Sequence, residues 1–312
     1  MNTLLKLLEI DCPVIQAPMA GVSTPALAAA VATGGGLGSI AVGAVDARTA
    51  SEMIRATRKL TTRSINVNVF CHQSPVADSK KESAWISRLT PHFSKFGAQA
   101  PTALKRIYKS FIHDNEMLDV LLETRPKSVS FHFGLPSQEK IALLKEAGII
   151  LLASATNLDE AKLVADSGID AVVAQGFEAG GHRGIFDPSM ADRCLGIAAL
   201  VRLLATNLDI PVIAAGGIMD GAGIVAALAL GAQAAQLGTA FINCPESAAD
   251  EHYRSALQSA AAYNTVMTRV ISGRPARCLA NHFTEIGQEI DPSTVPDYPI
   301  AYDADKALST AA

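Results

Sequence analysis

The 312-residue chain is poor in aromatic residues, in cysteine and in long apolar runs. Its five cysteines are scattered and never spaced as Cys-x-x-Cys, which argues against a zinc or disulfide framework and favours a reduced, cytoplasmic protein. No apolar run approaches ~20 residues, so no transmembrane helix is expected. Residues 1–6 lack the pattern of a signal peptide. A net charge of −4 offers no basic surface to nucleic acid or to an anionic membrane.

What the chain does contain is a regular alternation of short apolar segments and helical patterns. Eight apolar segments are present, at residues 13–17, 36–42, 64–69, 128–133, 149–154, 171–176, 211–216 and 234–239. Strands that alternate with helices pair in parallel through βαβ crossovers. Eight such units within about 240 residues match the size of a (β/α)8 TIM barrel of the α/β class. The sequence therefore predicts that fold.

Two stretches depart from this repeat. Residues 75–126, between the third and fourth predicted strands, hold two helical patterns. The second pattern predicts a helix with one apolar face, formed by Leu104, Ile107, Tyr108, Phe111 and Ile112. After residue 240 we expect a helix over 247–262 and a proline-marked tail. Because loops that follow barrel strands lie at the C-terminal face, we predict a barrel over 1–240 that includes the insertion, and a segment 241–312 that completes a small helical cap over the active site.

Glycine-rich segments end the last two predicted strands. Gly216 and Gly217 follow the seventh strand, and residues 236–239 end the eighth. Glycine exposes backbone N–H groups to an anion, and the loops after these two strands are the usual phosphate site of such barrels. Ala222 stands where a P-loop requires lysine, so the phosphate is not the end of ATP. The two loops predict a site for a single phosphate.

Polar residues also converge on the predicted strand ends. In the fourth strand Ser130 and His132 alternate with apolar residues, and the helix-facing side of a barrel strand must be apolar, so both should point into the barrel. The same alternation directs Asn66 and Asn68 inward from the third strand, and Gln175 ends the sixth. Convergent polar side chains at strand ends are how barrel active sites are built.

The loop at residues 175–184, which follows the sixth predicted strand, carries four glycines and one histidine. The glycines keep it thin enough to lie against a flat ligand. His182 is the only residue in this loop that exchanges protons near neutral pH. Such a histidine either braces its loop or takes part in chemistry, and the glycines on both sides favour chemistry.

Together these motifs resemble the nitronate monooxygenase family, formerly called 2-nitropropane dioxygenase, in its bacterial class with a Glu-Ala-Gly-Gly-His loop. The resemblance rests on the loop 175–184, the opening segment 17–24, the third strand 66–70, the phosphate unit 214–239 and the C-terminal segments 273–277 and 281–283. It implies a TIM barrel with FMN, and a single phosphate site suits a mononucleotide better than FAD.

The resemblance also implies roles for particular residues. His182 is expected beside the reactive part of the flavin, as a general base or as a group that orients the anionic nitronate. The residues expected to bind the cofactor are Ala17, Pro18, Met19, Asn68, Gln175, Gly180, Gly216, Gly217, Gln236, Leu237, Gly238 and Thr239. Phenol hydroxyls and an ammonium would fix a small anion, and the expected substrate-binding residues are Tyr108, His132, Tyr253, Tyr298 and Lys306. No metal is expected.

The activity implied by the resemblance is FMN-dependent oxidation of alkyl nitronates by molecular oxygen, to a carbonyl compound plus nitrite or nitrate. Propionate 3-nitronate is the expected substrate, the role is detoxification, and the protein is a monomer or homodimer without nucleic-acid or membrane partners. Two alternatives stay open. One is an FMN-dependent enoyl-thioester (enoyl-ACP) reductase that uses NAD(P)H, and the other is a barrel that binds a phosphorylated ligand without catalysis.

Overall fold

The computed structural model describes residues 3–312, in which eleven strands and thirteen α-helices are present. The strands are β1 (Val14–Gln16), β2 (Gly38–Ala41), β3 (Ile65–Phe70), β4 (Ser128–His132), β5 (Ile150–Ala155), β6 (Ala171–Gln175), β7 (Gly181–His182), β8 (Val212–Ala215), β9 (Ala234–Leu237), β10 (Thr265–Thr268) and β11 (Ala276–Leu279). The helices are α1 (Thr3–Leu8), α2 (Pro25–Thr33), α3 (Ala47–Leu60), α4 (Ser79–Lys95), α5 (Asn115–Thr124), α6 (Gln138–Glu146), α7 (Leu158–Asp166), α8 (Ile197–Asn207), α9 (Gly221–Ala229), α10 (Thr239–Ile242), α11 (Glu251–Leu257), α12 (His282–Gln288) and α13 (Ile300–Ala311). None of these helices is long and apolar enough to cross a membrane.

Eight parallel strands form a nearly closed barrel, as predicted. Their order is β1-β9-β8-β6-β5-β4-β3-β2, and a single bridge between Ile15 and Leu37 joins the two ends of the sheet. Each predicted strand is present, with ends that differ from the prediction by two residues or fewer. The spacing of short apolar segments was sufficient to predict these strands, because parallel strands that are covered by helices are buried on both faces and therefore consist of short apolar runs.

Two apolar cores lie on the two faces of the barrel sheet, because successive strand residues face opposite sides. In β6, Val172 belongs to the core that also contains helix residues such as Leu200 of α8. Its neighbour Val173 belongs to the inner core, together with Leu4 and Leu8 of α1. Full burial of a leucine contributes about 2 kcal/mol, so α1 is held on the inner core mainly by these two side chains.

The chain divides into two compact units. The first unit contains the barrel and comprises the described residues up to Gln73, Lys109–Gly180 and Gly184–Ser255. The second unit comprises Ser74–Tyr108, Gly181–Arg183 and Ala256–Ala312. The chain thus leaves the first unit after Gly180 and returns to it at Gly184. That residues 241–312 complete a cap over the active site stays a prediction.

The second unit has its own apolar core and its own sheet. Buried side chains of α4 and α13 form the core, with Trp85 and Leu308 among them. A three-stranded antiparallel sheet in the order β10-β11-β7 completes the unit. The sequence did not predict this sheet, because β7 has only two residues and its partner β11 lies about ninety positions further along the chain.

One predicted helix was wrong and another was too long. Residues 104–110 are not helical, and after a 3-10 turn at Phe111–His113 the helix α5 begins only at Asn115. The apolar spacing misled because the chain passes between units after Tyr108, so Leu104 packs in the core of the second unit and Phe111 in the barrel core. The helix predicted over 247–262 is shorter, and α11 is followed by a 3-10 turn at Ala260–Tyr263.

Candidate functional site

Two glycine loops follow neighbouring barrel strands in the first unit. The first glycine loop, residues 216–217, follows β8, and the second, residues 238–239, follows β9. Gly216 and Gly217 have φ angles of +127° and +67°, which side-chain-bearing residues rarely adopt. Within residues 3–312, the N–H groups of Gly216, Gly217, Gly238 and Thr239 donate no hydrogen bond. These residues are half-buried or exposed, so their N–H groups are open to a ligand, and four such donors on adjacent strand ends suit an anion such as phosphate.

The opening loop, residues 17–19, lies beside the second glycine loop. Ala17 N donates to Leu237 O over 2.7 Å. A Cβ added at Gly238 would lie 3.6 Å from Ala17 Cβ and 3.7 Å from Met19 Sδ. Ala17, Pro18 and Met19, which the sequence assigned to the cofactor, are therefore beside the second glycine loop, as are the predicted residues Gln236 and Leu237 at the end of β9.

A buried polar network lies inside the barrel. Asn68 Nδ2 donates to Ser130 O and to Ser130 Oγ, both over 3.0 Å, and Asn66 Nδ2 donates to Ser130 Oγ over 2.9 Å. The three residues are at most 6% exposed. This network confirms that the polar residues of β3 and β4 point inward, and its hydrogen bonds fix the Asn68 side chain.

Gln175 ends β6 and His132 ends β4, and β5 lies between these two strands. Gln175 Oε1 accepts a hydrogen bond from Gly184 N over 2.7 Å, which closes the base of the loop that starts after β6. His132 Nδ1 is 2.9 Å from Ser154 Oγ. A Cβ added at Gly184 would lie 3.0 Å from His132 Cε1. Gly184 is therefore in contact with both Gln175 and His132.

The loop between β6 and β7 touches both glycine loops. A Cβ added at Gly216 would lie 3.1 Å from Ala179 N, and one added at Gly180 would lie 3.5 Å from Thr239 Oγ1. At Gly216 the approach is close because a side chain there would leave little room for Ala179. Gly180 is thus beside Thr239, and both residues were predicted to bind the cofactor.

His182 belongs to the second unit and lies among aromatic rings. Its strand β7 pairs with β11, opposite Ala276. His182 Nε2 is 2.8 Å from Ser272 Oγ, a hydrogen bond that fixes the orientation of the imidazole. The ring centroids of Tyr298 and Tyr302 are 5.6 Å and 5.8 Å from that of His182.

Tyr108 and Lys306 complete this group, which we call the tyrosine cluster: His182, Tyr108, Tyr298, Tyr302 and Lys306. The Tyr108 ring centroid is 6.2 Å from that of Tyr298 and 6.0 Å from that of Tyr302. Lys306 Nζ lies 5.7 Å from the Tyr108 ring centroid and 5.2 Å from that of Tyr302. Four of the residues that the sequence singled out are therefore brought together in the second unit.

Sequence reasoning missed two members of this environment. Tyr302 is four residues before Lys306 on α13, so both lie on one helix face. That spacing could have revealed it. Ser272 stands in an irregular segment before β11, and no local pattern points to its hydrogen bond with His182.

Burial keeps the phenols of the tyrosine cluster protonated. It raises the pKa of Tyr108 to about 12 and that of Tyr302 to about 12, and it raises the pKa of Tyr298 well above its usual value. All three hydroxyls are therefore hydrogen-bond donors at neutral pH. Burial also raises the pKa of Asp305 to about 6, against the opposing effect of the neighbouring Lys306 charge. An ammonium and several neutral O–H donors suit a small anion.

Two predicted substrate residues, His132 and Tyr253, belong to the first unit and so lie outside the tyrosine cluster. Tyr253 is on α11, is 37% exposed, and its backbone N donates to Asp250 Oδ1 over 2.7 Å. The roles of both in substrate binding stay predictions. Among residues 3–312, no group of three or more His, Cys, Asp or Glu side chains could hold a metal ion.

Comparison with known proteins gives a consistent result. A sequence model described as nitronate monooxygenase matches residues 1–312. A protein of Paraburkholderia phytofirmans named nitronate monooxygenase is 61% identical over 311 residues, which cover 100% of this chain and 85% of the relative. The crystal structure of nitroalkane oxidase from Streptomyces ansochromogenes superposes with a TM-score of 0.87 and 38% identity, over 99% of this chain and 86% of that one. FabK from Thermotoga maritima is less similar, with a TM-score of 0.70 and 31% identity over 91% of this chain and 76% of that one.

Proposed function

Because the chain belongs to the nitronate monooxygenase family of oxidoreductases, we propose that it uses FMN to oxidise alkyl nitronates with molecular oxygen. The products would be a carbonyl compound plus nitrite or nitrate. Propionate 3-nitronate is the proposed substrate, and removal of toxic nitro compounds in the cytoplasm is the proposed role.

The residues of the first unit fit FMN. The N–H groups of the two glycine loops would hold its phosphate, since four of them donate to no other described group. Asn68, Gln175, Gly180 and the opening loop would hold the remainder of the cofactor. When bound, the flavin supplies the redox chemistry, and the protein supplies binding and orientation.

The side chains of the second unit would handle the substrate. We propose that the His182 imidazole takes the proton from the carbon next to the nitro group when the substrate is a neutral nitroalkane, or orients the nitronate when it arrives already ionised. Ser272 would keep the imidazole in position through its 2.8 Å hydrogen bond. Lys306 and the protonated phenols would neutralise and orient the anion. The observation that carries the proposal is this single cluster of one imidazole, one ammonium and three O–H donors.

The first test is an absorption spectrum of the purified protein, followed by oxygen uptake on addition of propionate 3-nitronate. We expect the yellow spectrum of bound FMN and oxygen consumption that starts only with the nitronate. A colourless protein that cannot be reconstituted with FMN would instead support a barrel that binds a phosphorylated ligand without catalysis.

The same sample tests the enoyl-thioester reductase. That enzyme would require NAD(P)H, so its flavin would bleach rapidly on addition of NADH without oxygen. Bleaching by NADH combined with no response to nitronate would overturn the proposed function.

A further inference from the structure

Helix α8 lacks a capping side chain of its own. Its N-cap residue is Gly196, which makes no side-chain hydrogen bond. The first N–H of the helix, on Ile197, donates instead to Glu178, at 3.0 Å from Oε1 and 2.9 Å from Oε2. A carboxylate at a helix N-terminus satisfies a donor that the helix cannot and interacts favourably with the helix dipole. The cap of α8 therefore comes from the loop that follows β6.

Three glycines make room for this carboxylate. A Cβ added at Gly176 would lie 2.5 Å from Glu178 Oε2 and 2.7 Å from Ile197 N. One added at Gly196 would lie 3.0 Å from Glu178 Oε1, and one added at Gly217 would lie 3.2 Å from Glu178 Cβ. Gly217 is part of the first glycine loop, so the residue that caps α8 is also in contact with the proposed phosphate site.

The residues after Glu178 continue this contact. Ala179 lies against Gly216, and Gly180 lies against Thr239 of the second glycine loop. At its base the loop is closed by the hydrogen bond from Gly184 N to Gln175 Oε1. Glu178 is therefore the one charged side chain among residues 176–180, a segment that is packed against both glycine loops and anchored on the N-terminus of α8.

We propose that Glu178 is a positioning residue that couples the two glycine loops to the loop between β6 and β7, by holding residues 178–180 against them from the N-terminus of α8. The proposal rests on the proposed function, in which the glycine loops bind the phosphate of FMN. Coupling of this kind is reciprocal: the anchored loop favours phosphate binding, and bound phosphate steadies the loop. The chain reaches His182 two residues after this anchor.

Glu178 keeps part of its surface in solvent, so its charge is screened and its effect comes from the hydrogen bond to Ile197 N. An amide oxygen can accept the same bond, and Glu178→Gln should therefore behave like the wild type. Glu178→Ala removes the acceptor. Gly196→Ala retains the carboxylate but shifts it by a few tenths of an ångström, because the new Cβ would be 3.0 Å from Oε1. It provides an independent variant if Glu178→Ala folds poorly.

A matched control separates positioning from simple helix capping. In the same unit, Asp46 Oδ1 caps α3 by accepting a hydrogen bond from Thr49 N over 2.8 Å. Helix α3 follows β2, so it does not adjoin either glycine loop in the chain. Asp46→Ala thus removes a helix cap without affecting the proposed phosphate site. Both alanine variants should lower the Tm by a few degrees.

The test measures the Kd of FMN and of riboflavin for the apoprotein of each variant, by quenching of flavin fluorescence. We expect Glu178→Ala to weaken FMN binding about tenfold, and Gly196→Ala to weaken it in the same direction but less. Riboflavin binding should weaken much less in both variants, since the glycine loops would bind only the phosphate. Asp46→Ala and Glu178→Gln should stay close to the wild type. Hydrogen exchange should show that FMN protects residues 176–180 in the wild type and not in Glu178→Ala.

Equal FMN affinity in Glu178→Ala and Asp46→Ala would overturn the coupling and reduce Glu178 to a helix cap. A wild type that binds FMN no better than riboflavin would overturn both the coupling and the proposed phosphate site. A wild type that prefers FMN, with variants that do not differ, overturns the coupling alone.

Discussion

In the proposed function, the glycine loops of the first unit and the tyrosine cluster of the second unit would attract an anion by opposite means. The glycine loops offer backbone N–H groups and place no basic side chain of their own beside them. The tyrosine cluster offers an ammonium, an imidazole and three phenols, all from side chains. Backbone binding depends on φ and ψ, whereas side-chain chemistry depends on individual functional groups.

This difference predicts two classes of variant. A substitution that changes backbone conformation in the first unit should affect retention of the cofactor, and a side-chain substitution in the tyrosine cluster should affect turnover while the cofactor stays bound. If variants of both classes lower cofactor retention and turnover together, the two regions do not have separate roles.

The largest effect is expected for His182→Asn. Loss of a general base lowers turnover of a neutral nitroalkane by about 100-fold or more, because its C–H must lose a proton. Turnover of preformed nitronate should fall less, and the FMN spectrum should persist. Oxygen uptake with each substrate measures both effects, and His282→Asn, at a histidine that is 63% exposed, is the control. Equal losses on the two substrates would assign His182 to orientation or charge stabilisation.

Gly217→Ala tests the other side of the comparison. At φ +67° an alanine costs about 1 kcal/mol in strain, and its Cβ would lie 3.2 Å from Glu178 Cβ. We expect the Kd of FMN to rise by about tenfold while kcat of the FMN-saturated enzyme is retained. Gly148→Ala is the matched control, since Gly148 has φ +78° and nothing within 4 Å of an added Cβ. Equal weakening in both variants would attribute the effect to general strain.

Lys306→Met examines a single charge in the tyrosine cluster. Loss of a charge-assisted contact should raise the KM for propionate 3-nitronate by about tenfold, with kcat changed little and FMN retained. Steady-state kinetics measure this split, with Lys80→Met, at an exposed lysine of the same unit, as control. If KM is unchanged, Lys306 does not bind the anion.

The two regions also differ in how well the sequence predicts them. The barrel was predictable because its signal is local: eight apolar segments separated by helices define strands and topology together. The glycine loops were predictable because strand ends position them. That the N–H groups of these loops donate no hydrogen bond to any described residue could be seen only in the structure, because it depends on how the neighbouring loops pack.

The tyrosine cluster was predictable only residue by residue, through the family resemblance. Its geometry is non-local, because β7 pairs with a strand about ninety residues away and Tyr108 comes from the insertion. The apolar spacing around Tyr108 predicted a helix, whereas the chain there passes from one core to another. Apolar residues at helical spacing do not reveal whether they are buried in one core or in two different cores.

The smallest expected effect concerns Asp305, which lies in the second unit and has no counterpart in the glycine loops. Burial raises its pKa to about 6, so in the folded protein it holds its proton at a pH where the unfolded carboxyl, with a pKa near 4, has lost it. Stability should therefore fall as the pH rises from about 4 to about 6, by about 1 kcal/mol after allowance for partial exposure. Asp305→Asn should remove this contribution, so its Tm should exceed that of the wild type at pH 7 and approach it at pH 4. A Tm difference between Asp305→Asn and the wild type that does not change with pH would show that Asp305 ionises alike in the folded and unfolded states.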